Sequence, residues 1–251
     1  MSVALETRHL TKAFGGVTAT DDLSLVVASG ARLALIGPNG AGKTTLVNQL
    51  TGVSAPDSGQ ILLDGRDITH LGTAARARLG LVRTFQINQL FASLTPVEAI
   101  ALTLTERARR VSLWRGVGRD PGLAAAAAAL IDRFGLASVM DQPARSLSYG
   151  KQRLLEIAIA LAARPRVLLL DEPAAGVAET ERHEILAALA ALPPEVAILL
   201  IEHDMDLVFS FADSVAVLVD GALLVQGPPS QIMADPQVRA VYLGNGGAPH
   251  G

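Results

Sequence analysis

The stretch Gly37-Pro38-Asn39-Gly40-Ala41-Gly42-Lys43-Thr44-Thr45 fits the pattern G-x-x-x-x-G-K-[ST]. The apolar run Arg32–Ile36 before it reads as a buried strand, and Thr44 to Leu50 after it reads as the start of a helix. Strand, glycine loop and helix in that order are the context a phosphate-binding loop requires. Glycines let backbone N–H groups turn toward a phosphate without a Cβ in the way, and the helix start adds its positive dipole end. Lys43 then reaches the β and γ phosphates, and the Thr44 hydroxyl is a ligand for Mg²⁺. Few folds other than an α/β sheet supply this context.

The remainder of the chain fits such a sheet. Val3 to Leu10 and Leu23 to Ala28 read as strands joined by a turn at Gly15-Gly16, and Gln60 to Leu63 as a strand entering a turn at Asp64-Gly65. Together they predict a small antiparallel sheet beside the loop. Leu79 to Phe85 predicts a further strand. From Thr95 onward strand signals stop. Residues 96–109 read as a helix capped by Thr95 with Pro96 and Glu98 in its first turn. Val111 to Gly122, a basic segment with the only tryptophan, Trp114, reads as a loop. Pro121 to Phe134 and Ser148 to Ala163 read as helices. Strand signals return at Arg166–Leu170 and Val196–Ile201, with a helix at Glu179–Leu192 between them, and Ser214–Val219 with Ala222–Val225 reads as a hairpin. Short, fully apolar strands separated by helices indicate a parallel sheet covered on both faces.

With 251 residues the chain is long enough for one large domain. The expected organisation is a core formed by residues 1–87 and 164–243, a helical insertion at 88–163, and a frayed glycine-rich end at 244–251. A net charge of −3 gives no general attraction for nucleic acid, and the absence of cysteine excludes disulfides and thiolate metal sites. The first twelve residues lack the layout of a signal peptide, and no apolar run approaches a membrane span, so the expected location is cytoplasmic.

Four further segments are candidates for chemistry. Val167–Leu170 ends in Asp171-Glu172, two carboxylates just where ligands bind in open α/β sheets. Asp171 suits Mg²⁺, and Glu172 suits a base that deprotonates the water attacking a γ phosphate. His203 follows the next apolar strand in the same way and could donate to that phosphate; a lone histidine is more often structural. Gln86 ends a predicted strand, and its amide oxygen is a weaker candidate for Mg²⁺ or the attacking water. Leu147-Ser148-Tyr149-Gly150-Lys151-Gln152-Arg153 opens a helix with a natural N-cap and an uncovered backbone. Taken alone, that segment reads as an ordinary helix cap.

These motifs occur in the order and spacing of the ATP-binding subunits of ABC transporters, and the resemblance covers nearly the whole chain. Leu147–Leu161, Asp171–Val177, Ile201–Leu207 and the ending Val241-Tyr242-Leu243-Gly244 resemble the branched-chain amino-acid importer group, most closely its LivG-type subunit, as does the basic loop around Trp114. The resemblance implies an α/β fold: a P-loop NTPase of ABC type with a mostly parallel core sheet, an antiparallel β subdomain and an inserted helical subdomain. It implies ATP at Gly37–Thr45, with Phe14 stacking on adenine, and Mg²⁺ at Thr44, Gln86 and Asp171. It implies a head-to-tail pair with a second ATP-binding subunit, in which Ser148, Tyr149, Gly150 and Lys151 of one chain meet the γ phosphate held by the other. It further implies two membrane permease subunits, a periplasmic or lipid-anchored solute-binding protein, and a place on the inner face of the cell membrane.

Three positions depart from the common pattern: Tyr149 and Lys151 replace a glycine and a glutamine, and Ala178 stands where many relatives carry an aspartate that reaches across the dimer. Uptake of urea or short amides, lipopolysaccharide export, a non-transport ABC-type ATPase and a small-molecule kinase are the competing assignments at this stage. The Tyr149 signature disfavours lipopolysaccharide export, and the Ser148 helix start has no role in a kinase.

Overall fold

The computed structural model describes residues 2–84, 92–107 and 120–244. In chain order the first elements are β1 (Val3–Phe14), β2 (Val17–Ala28), β3 (Arg32–Ile36), α1 (Lys43–Thr51), β4 (Ser58–Leu63), β5 (Arg66–Asp67), α2 (Thr73–Leu79) and β6 (Leu81–Arg83). A helical stretch follows, α3 (Pro96–Arg107), α4 (Pro121–Arg133) and α5 (Tyr149–Ala162). The chain continues through β7 (Val167–Asp171), α6 (Glu179–Ala190), β8 (Ala197–Ile201), α7 (Met205–Phe211), β9 (Ser214–Val219), β10 (Ala222–Gly227), α8 (Pro229–Ala234) and α9 (Pro236–Gly244). It divides into two compact units, Met1–Arg76 with Pro194–Gly251, and Ala77–Pro193.

The first unit holds two sheets. One is antiparallel, in the order β2-β1-β4-β5. Its alternating strands bury one face, with Leu5, Leu10, Leu23, Leu25 and Val27 inside. β1 and β2 run on to the Gly15-Gly16 turn, well past the expected ends, because the polar residues on their exposed faces still pair across the ladder. In the other sheet β3 is central, with β8 and β9 both parallel to it and β10 antiparallel on the edge of β9. β3 and β8 are apolar throughout their interiors because neighbours cover both faces. Ile36, Val215 and Val217 pack with Val208, Ile232 and Val238, which docks α7, α8 and α9 onto the sheet.

The second unit pairs β6 with β7 in parallel and groups α3, α4 and α5, with α6 against α5. The expected cap of α3 is a reciprocal box. The Thr95 N–H donates to Glu98 Oε2 at 2.9 Å, and the Glu98 N–H donates to Thr95 Oγ1 at 3.3 Å. Asp120 caps α4 by accepting from Gly122 and Leu123.

One strand starts later than the sequence predicts. Leu79 ends helix α2, and β6 begins only at Leu81. The run Thr73–Leu79 is rich in alanine and arginine, both strong helix formers, and Gly80 at φ 105° ends the helix. The far end of that strand, Phe85, lies outside the described residues, as do Gln86 and Trp114. No helix among the described residues is long and apolar enough to cross a membrane.

Candidate functional site

In the first unit the glycine loop leaves β3 at Ile36 and enters α1 at Lys43. Its shape depends on two glycines. A Cβ at Gly37 would collide with the Leu218 carbonyl oxygen, and one at Gly42 with the Ala19 carbonyl oxygen. Gly42 is also the N-cap of α1 at φ 96°, a conformation costly for any side chain. β9, β10 and β2 therefore press the loop from behind: the Gly221 N–H donates to the Ala41 carbonyl at 3.1 Å. Lys43 Nζ donates to the carbonyls of Gly37 (2.5 Å) and Pro38 (2.9 Å), which holds the ammonium over the loop. Thr44 is exposed at the first turn of α1, and that turn has no acidic residue. Uncovered N–H groups, a cation and a helix start without competing carboxylates make an anion cradle.

Phe14 ends β1 opposite Val17, two residues before the Ala19 that abuts Gly42. Phe14 is 55% exposed, and Lys12 Nζ lies 5.5 Å from its ring centroid. An exposed aromatic face on this hairpin is suited to stacking on a base. His203 lies just beyond the end of β8, and the register of β8 with β3 (Leu35 opposite Ile201) puts it at the same sheet edge as the loop. The His203 N–H donates to Oε2 of buried Glu202 at 3.0 Å, and the imidazole remains exposed. Tyr242 of α9 also belongs to this loop. Its phenol oxygen faces the Gly37 N–H, and burial pushes the phenol up to about 12 against the pull of that N–H.

In the second unit Asp171 ends β7, and Glu172 follows just beyond the strand. Asp171 Oδ2 accepts from Arg83 Nη2 of β6 at 2.5 Å, a pairing the sequence reading missed. The signal was an arginine one strand away in a parallel pair whose register sets Arg83 opposite Leu169. Glu172 takes a left-handed backbone at φ 46°, unusual for a non-glycine residue and common at functional turns. Ser148 is the N-cap of α5, accepting from the Lys151 N–H at 3.4 Å. Its hydroxyl donates to Glu181 Oε1 of α6 at 2.5 Å, and the Gly150 N–H donates to Glu181 Oε2 at 3.2 Å. Lys151 pairs with Glu184 at 2.8 Å, and Arg153 donates to the Tyr149 hydroxyl at 3.1 Å. Ala178 is the N-cap of α6 and offers no side-chain hydrogen bond.

The structure thus gathers Phe14, the loop Gly37–Thr45 and His203 in one unit. The carboxylates Asp171 and Glu172 and the helix start at Ser148 stand in the other.

A mostly parallel sheet whose central strand opens into such a cradle, with carboxylates ending another strand, defines an ATP-binding cassette. The ABC transporter family profile matches residues 20–175, and the chain belongs to that family. Its C-terminal residues 222–248 match the branched-chain amino acid ATP-binding cassette transporter profile. The chain is 41% identical to the high-affinity branched-chain amino acid transport ATP-binding protein BraF of Pseudomonas aeruginosa, over 96% of this chain and 97% of that protein. It is 39% identical to LivG of Escherichia coli, which carries the same description, over the same shares. Among solved structures it is similar to an ATP-binding cassette of an ABC transporter in its ADP conformation, with TM-score 0.83 and 30% identity over 98% of this chain and 100% of that one. A nucleotide-free cassette from an ABC transporter gives TM-score 0.82 and 29% identity, over 96% and 98%. The chain is therefore an ATP-hydrolysing transporter subunit.

Proposed function

We propose that the chain energises uptake of branched-chain or other hydrophobic amino acids through partner permeases. The observation that carries this reading is the match along 96% of the chain to two branched-chain amino acid transport ATP-binding proteins. Gly37, Pro38, Asn39, Gly40, Ala41, Gly42, Lys43, Thr44 and Thr45 hold the phosphates of ATP, and Phe14 stacks on its adenine. Thr44, Asp171 and Gln86 are the residues that would hold Mg²⁺. These are hard oxygen ligands of the kind the ion prefers, and Thr44 and Asp171 are both open to solvent in part. When bound, the ion neutralises charge on the β and γ phosphates. Glu172 takes a proton from the attacking water, and His203 donates to the γ phosphate.

The working unit in this reading is a head-to-tail pair with a second ATP-binding subunit. Ser148, Tyr149, Gly150 and Lys151 of each chain complete the site on the other. Residues 88–163 act as the helical subdomain that carries this signature. The pair sits on the inner face of the membrane against two permeases, which receive solute from a binding protein.

Reconstitution tests this reading. ATPase activity rises when the chain is assembled with two permeases and the binding protein loaded with leucine, isoleucine or valine. Glu172→Gln keeps ATP binding and lowers turnover by about 10²–10⁴-fold. Activity indifferent to the permeases, or wild-type turnover in that variant, contradicts the assignment.

A further inference from the structure

The start of α5 already carries an anion. Glu181 sets one carboxylate oxygen on the Ser148 hydroxyl and the other on the Gly150 N–H, at 2.5 and 3.2 Å. A bidentate carboxylate on a hydroxyl and a helix-start N–H is how such a terminus binds the oxygens of a phosphate. The fit is close. A Cβ at Gly150 would lie 2.7 Å from Glu181 Oε2 and 2.8 Å from its Cδ, so the carboxylate rests on bare backbone. The Ser148 hydroxyl proton is committed to this contact, while its oxygen caps the Lys151 N–H. The ammonium of Lys151 is directed elsewhere, to Glu184 at 2.8 Å and the Gly135 carbonyl at 3.2 Å. Glu181 is three residues beyond Ala178 and belongs to the first turn of α6.

We propose that Glu181 occupies, in the free chain, the Ser148 and Gly150 donors that a γ phosphate takes in the ATP-bound pair, so that closure of the pair requires Glu181 to leave. The inference rests on the cross-chain role of Ser148 proposed above. A carboxylate and a γ phosphate repel each other and compete for the same two donors. Glu181 thus sets the ATP concentration at which two chains close, and it restrains closure when nucleotide is scarce.

The test uses the full chain carrying Glu172→Gln, which accumulates the ATP-bound pair. Light scattering against ATP concentration is measured for this chain alone and mixed with the second ATP-binding subunit of its complex. Adding Glu181→Ala lowers the ATP midpoint of pairing by about two- to tenfold, the span expected for one partly exposed charged contact, and Glu181→Gln falls between. In the ATP-free chain, hydrogen exchange at the Gly150 amide speeds up in Glu181→Ala, while the melting temperature stays close to that of the parent. A midpoint that is unchanged or raised makes Glu181 a support for the helix start and overturns the proposal. Unaltered exchange at Gly150 does the same. If no variant pairs with ATP in either mixture, the cross-chain reading of Ser148 itself fails; that result differs visibly from pairing at an unshifted midpoint.

Discussion

Glu156 lies in the middle of α5 with its carboxylate buried, and Arg153 donates to Oε2 at 2.8 Å. Oε1 of Glu156 and Nε of Arg153 have no hydrogen-bond partner among the described residues. Burial pushes the Glu156 carboxyl up to about 7, and the Arg153 hydrogen bond pulls it only part of the way back. The folded chain thus holds this proton more tightly than the unfolded chain, whose carboxyl titrates at its ordinary value of 4.5. The stability this adds is complete below 4.5 and is lost as pH rises through about 7. In Glu156→Gln that loss is removed: the melting temperature of the variant gains on the parent between pH 4.5 and 7, and the gap is constant above. A gap independent of pH would show that the carboxylate does not titrate in this window. Nothing in the local sequence announced this residue, because an acid in a helix is ordinarily a solvated one. The place of Asp171 and Glu172 at the end of a strand was legible from the apolar run Val167–Leu170 before them. Their setting, a left-handed Glu172 and an Arg83 on Asp171, is a matter of tertiary approach.

At the scale of elements, the phosphate-loop helix depends on a residue from another helix. α1 ends at Thr51 with no basic residue in its last turn, and Gly52 follows in the left-handed conformation. Arg76 of α2, 1% exposed, supplies the cation. Its guanidinium donates to the carbonyls of Gln49 (2.5 Å) and Leu50 (2.7 Å) at the end of α1, and to those of Thr69 and Leu71, both at 2.7 Å. A planar fork satisfying four carbonyls has no substitute in a single ammonium. Arg76→Met leaves buried carbonyls unmet and lowers the unfolding free energy by about 2–4 kcal/mol, read as a fall in denaturant midpoint at constant slope. Arg76→Lys recovers only part of the loss. An unchanged midpoint in Arg76→Met would show that water satisfies these carbonyls.

The long elements were legible from apolar runs and from caps such as Thr95 and Ser148. The short helices were not, since α7 spans 7 residues and α8 spans 6, too few to display a helical period. Their starts did carry signals. Asp204 accepts from the Leu207 N–H at 3.1 Å, and Pro229 and Pro236 occupy first helical positions.

For the whole molecule, the fold class followed from the glycine loop together with the buried strands. The assignment of partners within the sheet did not, because apolar strands of similar length carry no label for their neighbours. The pairing shows what that concealed: β3, which opens into the loop, lies between β8 and β9, and the first of these starts only at Ala197. The first unit is closed by the last segment of the chain, Pro194–Gly251. On the ribosome, then, the glycine loop emerges early and waits. Both edges of β3 stay bare until β8 and β9 have emerged, and joining them spans a large sequence separation, which makes the step slow. Nascent chains arrested with only residues 1–193 outside the exit tunnel fail to bind immobilised ATP, and chains exposed through residue 244 bind it. Binding by the shorter chains would mean that the loop forms without its sheet. A transporter subunit arranged in this way handles nucleotide only once β8 and β9 have emerged, and a copy lacking them is silent rather than a wasteful consumer of ATP.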